Sequence, residues 1–569
     1  MTDELKQRIA ERLEFLYGKE QAAKEKKRFL DLITGYEPFK KKTWSKWDEK
    51  EVALITYGDS IIDDNRQARL KTLKQFLNKH LKDTIHTVHI LPFFPYSSDY
   101  GFAVKDFTKV NPELGGWSDI GSIVKEFRLM ADLVINHVSS EHPWFRNFIE
   151  NREPGKDYFI VMDKDADLRE VVRPRSSPLL TPFETSRGEK YVWTTFSADQ
   201  IDLDFSNPDV LYEMAGILLH YLEKGVEIIR MDAIAYLWKK QGTSCIHLPE
   251  SHEVVKMMRD IAEYINPESI ILTETNVPHK ENISYFGKGD EAHMVYQFTL
   301  PPLLLYSLNT GNARYLSDWL KSLAPPPAGN TFLNFTASHD GIGVRPLEGI
   351  LPENEITQLI DDMKSAGGMV STKKNADGSE SPYEINITYF DALKRTRDGE
   401  KEMQEERFIC SQTLMLALKG VPAFYIQSLI ASRNDYEKAR KTGIKRDINR
   451  TRWGKEELEK MLGTDNVHSR VFIELKRIIR IRKMNREFHP NAEQVVQEAG
   501  PGILVLKRMS GAFEITCITN LSSTRKEVML KEAGLDATGS YEDLLAPWEV
   551  NIQGSYVMEP YQNVWLKRK

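Results

Sequence analysis

"YLEKGVEIIRMDAIAYLWKK", residues 221–240, joins the end of a helix-like pattern to a short apolar run and then to two charges. Val226 to Ile229 are apolar apart from Glu227, the composition of a parallel strand buried on both faces. Arg230 and Asp232 follow two residues apart, so on a strand they project to the same side, where the strand meets its loop. A guanidinium there would hold the carboxyl ionised and oriented. The competing reading is a structural ion-pair network at the edge of the sheet.

Outward from this stretch, short apolar runs alternate with longer helical patterns. "EVALITYG" (51–58) is followed by "RLKTLKQFLNKHL" (69–81), and then come "HTVHILPFF" (86–94) and "MADLVINHV" (130–138). "VEIIRMDA" (226–233) leads through "HEVVKMMRDIAEYI" (252–265) to "SIILTETN" (269–276). "NARYLSDWLKSL" (312–323) precedes "TFLNFTASHD" (331–340), and "SQTLMLALKG" (411–420) precedes "VPAFYIQSL" (421–429). Such alternation predicts an α/β fold with a parallel sheet covered by helices. Nearly every run ends in polar residues: Asp99 beyond the second, Asn136 and His137, Arg230 and Asp232, Glu274, then His339 and Asp340. A closed barrel gathers its C-terminal strand ends around one cavity, whereas an open sheet spreads them along an edge. A (β/α)8 TIM barrel is the predicted core. No Gly-x-Gly-x-x-Gly or P-loop supports a nucleotide-binding sheet.

At 569 residues the chain exceeds one ordinary core and fits a large enzyme domain with satellites. The barrel is expected over 49–138 and 201–494. Residues 1–48 read as a helical extension, with Leu5, Ile9, Leu13 and Leu16 at helical spacing. Residues 139–200 lack a clean helical period and read as an inserted subdomain after the third strand, leaning over the mouth. Short alternating strands such as "GILVLKRMSGAFEITCITN" (502–520) make 495–569 an antiparallel β domain. The Gly-Gly start and polar content of 367–393 mark a mobile rim loop.

A hydrophobic content of 41% with 28% charged residues excludes a disordered chain. The net charge of -6 argues against a nucleic-acid scaffold but leaves phosphorylated substrates open. Cys245, Cys410 and Cys517 show no Cys-x-x-Cys spacing, which suits a reducing compartment and neither a disulfide framework nor structural zinc. The first 18 residues lack the apolar core of a signal peptide, and no apolar run is long enough to span a bilayer. A cytoplasmic protein is expected, with no membrane or nucleic-acid partner, as a monomer or homodimer.

Asp232, Glu274 and Asp340 lie on different predicted strands, 42 and 66 residues apart. Splitting an acetal needs two carboxyl groups, one to donate a proton and one to act as nucleophile or base. Asp232, beside Arg230, suits the anion, and Glu274, after the apolar "SIIL", suits the protonated acid. His, Asp and Glu together could also hold a metal, but the i, i+4 ligand spacing is absent.

Four segments in order resemble the signature regions of alpha-amylase-type glycoside hydrolases: "DLVINH" (132–137), "IIRMDAIAY" (228–236), "LTETN" (272–276) and "NFTASHD" (334–340). "LPFFPYSSDYGFAVKDFTKVNPELG" (91–115) and "GIKRDINR" (443–450) resemble the branch of sucrose phosphorylase and related glucosyl-disaccharide phosphorylases. The resemblance, over about 50–495, implies Asp232 as nucleophile, Glu274 as acid/base and Asp340 as the clamp on the sugar hydroxyls. It implies Asp99, His137, His339 and Arg446 as glucose ligands, Phe102 as an aromatic wall and Gln200 as a further subsite residue. Asn136 binds calcium in many amylases, but no full ligand set is visible here, so neither metal nor cofactor is assigned.

The branch breaks its covalent glucosyl-enzyme with inorganic phosphate as co-substrate, and its Arg-Pro-Arg run places Arg175 on the phosphate, with Arg173 as a lesser partner. Three features resemble glucosylglycerate phosphorylases: "ASHDGIGVRPLEGILP" (337–352), "DGSESPYEIN" (377–386) and the long N-terminus. The implied reaction converts 2-O-(alpha-D-glucopyranosyl)-D-glycerate and phosphate to alpha-D-glucose 1-phosphate and D-glycerate. Sucrose phosphorylase and sucrose 6-phosphate phosphorylase are the alternatives. A non-catalytic scaffold should lack one of the carboxylates, and all three are present. Lys373 and Lys374 are the cations named for a glycerate carboxylate.

Overall fold

A computed structural model describes residues 1–39, 46–63, 65, 67–375, 379–536, 539–546 and 554–569, without the side chains of Lys374 and Glu498. Eight parallel strands close into a barrel: β1 (Ala53–Thr56), β2 (Thr87–Ile90), β3 (Arg128–Val134), β4 (Val226–Asp232), β5 (Ile270–Thr273), β6 (Met294–Tyr296), β7 (Thr331–Phe335) and β8 (Val421–Tyr425). Each lies beside its neighbour in chain order, and β1 meets β8 with Ala53 opposite Ala423. The (β/α)8 architecture read from the alternation is the one observed.

Strand β6 is absent from the sequence reading. It is only three residues long and stands three residues before the buried helix Leu300–Thr310, too short to show a strand period of its own. By contrast, the approach to β4 is well marked. Asn207 caps the helix Pro208–Glu223 by accepting from the Asp209 N–H at 3.0 Å, and Pro208 fills its first position. Gly225 then turns the chain at φ 87°, where a Cβ would sit 2.9 Å from the Val124 side chain.

The segment after β3 holds the helix Pro143–Ile149, which its aperiodic pattern did not announce, and a three-stranded antiparallel sheet. It is pinched at its base, where His137–Ser139 pairs antiparallel with Gln200–Asp202. The expected rim loop at 367–393 is corrected. Met369–Lys374 and Glu380–Asn386 form a hairpin whose second strand also pairs with Ile342–Gly343, and Tyr383 to Asn386 are buried. Its polar residues satisfy a β ladder; residues 376–378 lie outside the described residues. A five-stranded antiparallel sheet beginning at Glu493–Glu498 packs a smaller apolar cluster that includes Val505, Ile518 and Val564. Among the described residues no helix is long and apolar enough to cross a membrane.

The N-terminal helix Asp3–Thr34 is kinked at Gly18 and docks on the two helices flanking β4. Arg12 bonds Asp260 and Glu253, each at 2.6 Å, and Arg28 pairs with Asp209 while lying 3.8 Å from the Tyr212 ring centroid. Arg12→Ala would leave two largely buried carboxylates with fewer partners, a loss of roughly 3–5 kcal/mol for such pairs, tempered because Arg8 also holds Asp260. Hydrogen exchange across Asp3–Thr34 should accelerate in that variant while the barrel strands keep their protection. Unchanged exchange would show that Leu5, Ile9, Leu13 and Phe29 alone hold the helix down.

Candidate active site

At the C-terminal ends of the strands one cleft of about 660 Å³, open mouth included, is lined by Asp232, Glu274 and Asp340 together with Asp99, Phe102, His137, Arg175, Gln200, His339 and Arg446. These include every catalytic and glucose-subsite residue named from sequence except Arg230. Arg230 lies beneath the floor, 2% exposed, and works through its neighbours.

Strand register sets that floor. Arg230 on β4 stands opposite Asp132 on β3, so a guanidinium and a carboxylate meet inside the barrel one layer below the cleft. Its Nη1 bonds Asp132 and also donates to Asp232 Oδ1 at 2.8 Å. His89 Nε2 lies 2.7 Å from the other oxygen of Asp132. Arg230 and His89 hold Asp132 below the usual carboxylate range despite its burial.

Arg230 is therefore shared, which revises the expectation that it keeps Asp232 ionised. Burial pushes the Asp232 carboxyl up to about 8; Arg230 opposes the rise, and the charges of Glu274 and Asp132 add to it. Burial raises Glu274 as well, against Arg230 and with Asp340. The direct guanidinium bond orients Asp232 and opposes its rise. Glu274 Oε2 accepts instead from the Ala233 N–H at 3.3 Å, and Ala233 is held at φ 53°, a strained value for a residue with a Cβ.

Asp340 behaves oppositely. Burial would raise it, but the charges of Arg446 and Arg450 hold it well below the usual range. Arg446 Nη1 stands 2.5 Å from Asp340 Oδ1 while its Nε and Nη2 grip both oxygens of buried Glu384 at 2.8 and 2.9 Å. The hairpin thus fixes the cation that fixes Asp340. Asn449 Nδ2 donates to the Asp340 carbonyl at 3.0 Å and Arg450 Nε to the His339 carbonyl at 2.8 Å.

The two histidines are neutral. Burial lowers His137, and it takes His339 to about 3. His339 stacks on Phe102 with centroids 5.0 Å apart and planes 4° from parallel. His137 Nε2 contacts the Phe102 carbonyl at 2.9 Å, and Gln200 Nε2 reaches Asp99 at 3.4 Å. One wall of the cleft is therefore a wedge of neutral rings and amides, suited to hydroxyls rather than ions.

Arg175 lines the cleft with its guanidinium 5.2 Å from the Tyr383 centroid and 6.0 Å from that of Phe196. Arg173 and Lys373 do not join it; they line a neighbouring groove with Lys164. The Lys374 side chain lies outside the described residues. Tyr236, Tyr383, Phe196, Asn276 and Glu384 escaped the sequence reading. Tyr236 was in plain view four residues after Asp232, but only the folded chain turns its ring into the cleft.

Calcium, implied for Asn136 by the likeness to amylases, does not fit. Asn136 Oδ1 accepts from Lys239 Nζ at 2.6 Å, and the same ammonium lies 2.6 Å from Asp202 Oδ2, fully enclosed. The chain supplies its own cation there. Among the described residues no group of three His, Cys, Asp or Glu side chains could hold a metal ion.

Asp232 gives a signed pH test. Its folded pKa exceeds the ordinary 3.8, so the folded chain binds more protons than the unfolded one between about pH 4 and 8, and the group's stabilisation is lost as pH rises through that window. Asp232→Asn keeps the shape without the charge. Its thermal midpoint should climb relative to wild type from pH 4 to 8; a difference that stays flat over that window would show Arg230 outweighing burial.

Residues 75–322 match the family described as Alpha amylase, catalytic domain. The chain is 41% identical over 572 residues to glucosylglycerate phosphorylase of Escherichia coli, covering 99% of this chain and 100% of that protein. It is 42% identical over 569 residues to glucosylglycerate phosphorylase of Allomeiothermus silvanus, covering 100% and 99%. The crystal structure of sucrose 6F-phosphate phosphorylase from Thermoanaerobacter thermosaccharolyticum superposes with a TM-score of 0.74 at 26% identity, covering 90% of this chain and 98% of that one. With its strand-end carboxylates converging in one cleft, the chain belongs to the alpha-amylase superfamily, in the sucrose phosphorylase-like branch that includes the glucosylglycerate phosphorylases.

Proposed function

We propose that this chain is a retaining glucosylglycerate phosphorylase, converting 2-O-(alpha-D-glucopyranosyl)-D-glycerate and phosphate to alpha-D-glucose 1-phosphate and D-glycerate. The observation that carries the reading is the end-to-end kinship with proteins named for that activity. The cleft supports each step. Asp232 attacks the anomeric carbon as Glu274 passes its proton to the departing glycerate oxygen, leaving a covalent β-glucosyl ester. Phosphate then attacks the same carbon from the vacated side, gives a proton to Glu274 and releases Asp232, so two inversions give net retention.

Asp340, kept ionised by Arg446, binds glucose hydroxyls, with Asp99, His137, Gln200 and His339 completing the glucose subsite. Phe102 supplies its apolar wall. Arg175 holds the phosphate, a role supported by its place in the cleft against two aromatic rings. The cytoplasm is the proposed compartment, supported by three buried, unbonded cysteines.

Run backwards from alpha-D-glucose 1-phosphate, the protein should favour D-glycerate over fructose, fructose 6-phosphate and glycerol at equal concentration. A higher kcat/KM for fructose or its phosphate would transfer the assignment to a sucrose-type phosphorylase. Glu274→Gln should cost about 10²–10⁴ in rate with glucosylglycerate, which needs the proton, and far less with α-glucosyl fluoride. Equal losses on both donors would remove Glu274 from the acid role.

A further inference from the structure

The cations near the cleft differ in how far the chain's own anions satisfy them. Arg230 is divided between Asp132 and Asp232, and Arg446 between Asp340 and Glu384. Arg175 pairs with no carboxylate among the described residues, as befits a phosphate ligand. Two more guanidiniums nearby keep buried N–H groups unmatched: Arg450, whose Nε is taken by the His339 carbonyl, and Arg345. The Arg345 side chain is only 13% exposed, its Nε is buried without an acceptor, and its nearest carboxylate, on Glu348, lies 3.8 Å away on a half-exposed side chain.

The backbone leading to Arg345 is fixed against the leaving-group side of the cleft. Gly343 packs on Asn276 so closely that a Cβ would sit 2.5 Å from the amide oxygen, and Asn276 lies two residues beyond Glu274 in the cleft wall. The Val344 N–H donates to the Tyr383 carbonyl at 3.1 Å, tying the next residue to another wall element. Arg345 then opens a short turn whose Pro346 and Leu347 are buried. The Tyr236 hydroxyl, raised by burial, is lowered by the charges of both Arg345 and Arg175, and the charge of Arg345 also lowers Lys373. Lys373 faces the neighbouring groove instead.

We propose that Arg345 recognises the carboxylate of glycerate, leaving Arg175 to phosphate; this rests on the reading of glycerate as the acceptor. A carboxylate entering a largely buried site needs a charge-assisted partner, and the guanidinium fork presents parallel N–H donors to its two oxygens. Arg345 has an Nε–H with nothing to bond until such an anion arrives. Phosphate and glycerate occupy the same side of the sugar carbon in turn, so one cation could serve both, but their reach differs. The carboxylate oxygens stand one bond farther from the reacting oxygen than the free phosphate oxygens do. That extra bond lets them reach for a guanidinium outside the cleft lining, two residues beyond the Gly343 contact with Asn276, while phosphate meets the one that lines it.

Arg345→Gln should lower the ratio of kcat/KM for D-glycerate to that for glycerol by roughly 10- to 100-fold, the worth of one charged hydrogen-bonded contact. The loss should appear in the KM for D-glycerate more than in kcat, as for binding common to ground and transition states. Arg345→Lys, which keeps the charge without the fork, should recover part of the ratio and carries the test if the Gln variant melts early. Arg175→Gln should raise the KM for phosphate instead. A wild type that transfers to D-glycerate, with an unchanged ratio in both Arg345 variants, overturns the inference alone. A wild type that ignores D-glycerate overturns the proposed function and this inference with it.

Discussion

One guanidinium underpins the catalytic floor. Arg230 is sealed inside the barrel, and an ion so placed survives only where other charges compensate it. Asp132 does so from the adjacent strand because register puts the two side by side, and His89 completes the cluster from the strand beyond. Asp232 receives the remainder. Moving β4 by one residue against β3 would turn Arg230 away from Asp132, leaving Asp132 to His89 and Arg230 to Asp232. The strand alignment and the electrostatics of the cleft are thus a single constraint.

The opposite side of the cleft is held by parts distant in sequence. Glu384 and Arg446 are 62 residues apart, and their paired hydrogen bonds tie the hairpin to the segment that pins Asp340 and His339. Because Ile342–Gly343 belongs to the same small sheet, the strand after Asp340 and the hairpin move as one body. Tyr383 from that body lines the cleft and Glu384 beside it holds Arg446, so the hairpin supports the glucose clamp.

What was legible in the sequence follows from where the signal was local. Asp232, Glu274 and Asp340 stand out because a polar residue ending an apolar strand is visible in a few residues, and convergence on one cleft follows from closure of the barrel. Strand β6 was hidden because its three residues are too few to show a strand period of their own. The hairpin read as a loop because polar, turn-forming residues compose exposed strands as readily as loops. Arg230 was seen beside Asp232 on its own strand, whereas its stronger tie to Asp132 spans 98 residues and needs the register to be known. Lys239 gave no signal, since an ammonium between Asn136 and Asp202 exists only once three separate segments meet.

The kinked N-terminal helix carries a consequence for how the chain is made. Arg12 leaves the ribosome 248 residues ahead of Asp260, the partner that receives it. At about 5–20 residues per second that is a wait of roughly 12–50 s, with Ile9, Leu13 and Phe29 exposed and no surface to cover them. Docking therefore comes only after the helices on both sides of β4 have emerged, and until then this helix stays open to capture by chaperones or by neighbouring nascent chains. The brace for the catalytic strand is made before its seat and fastened late.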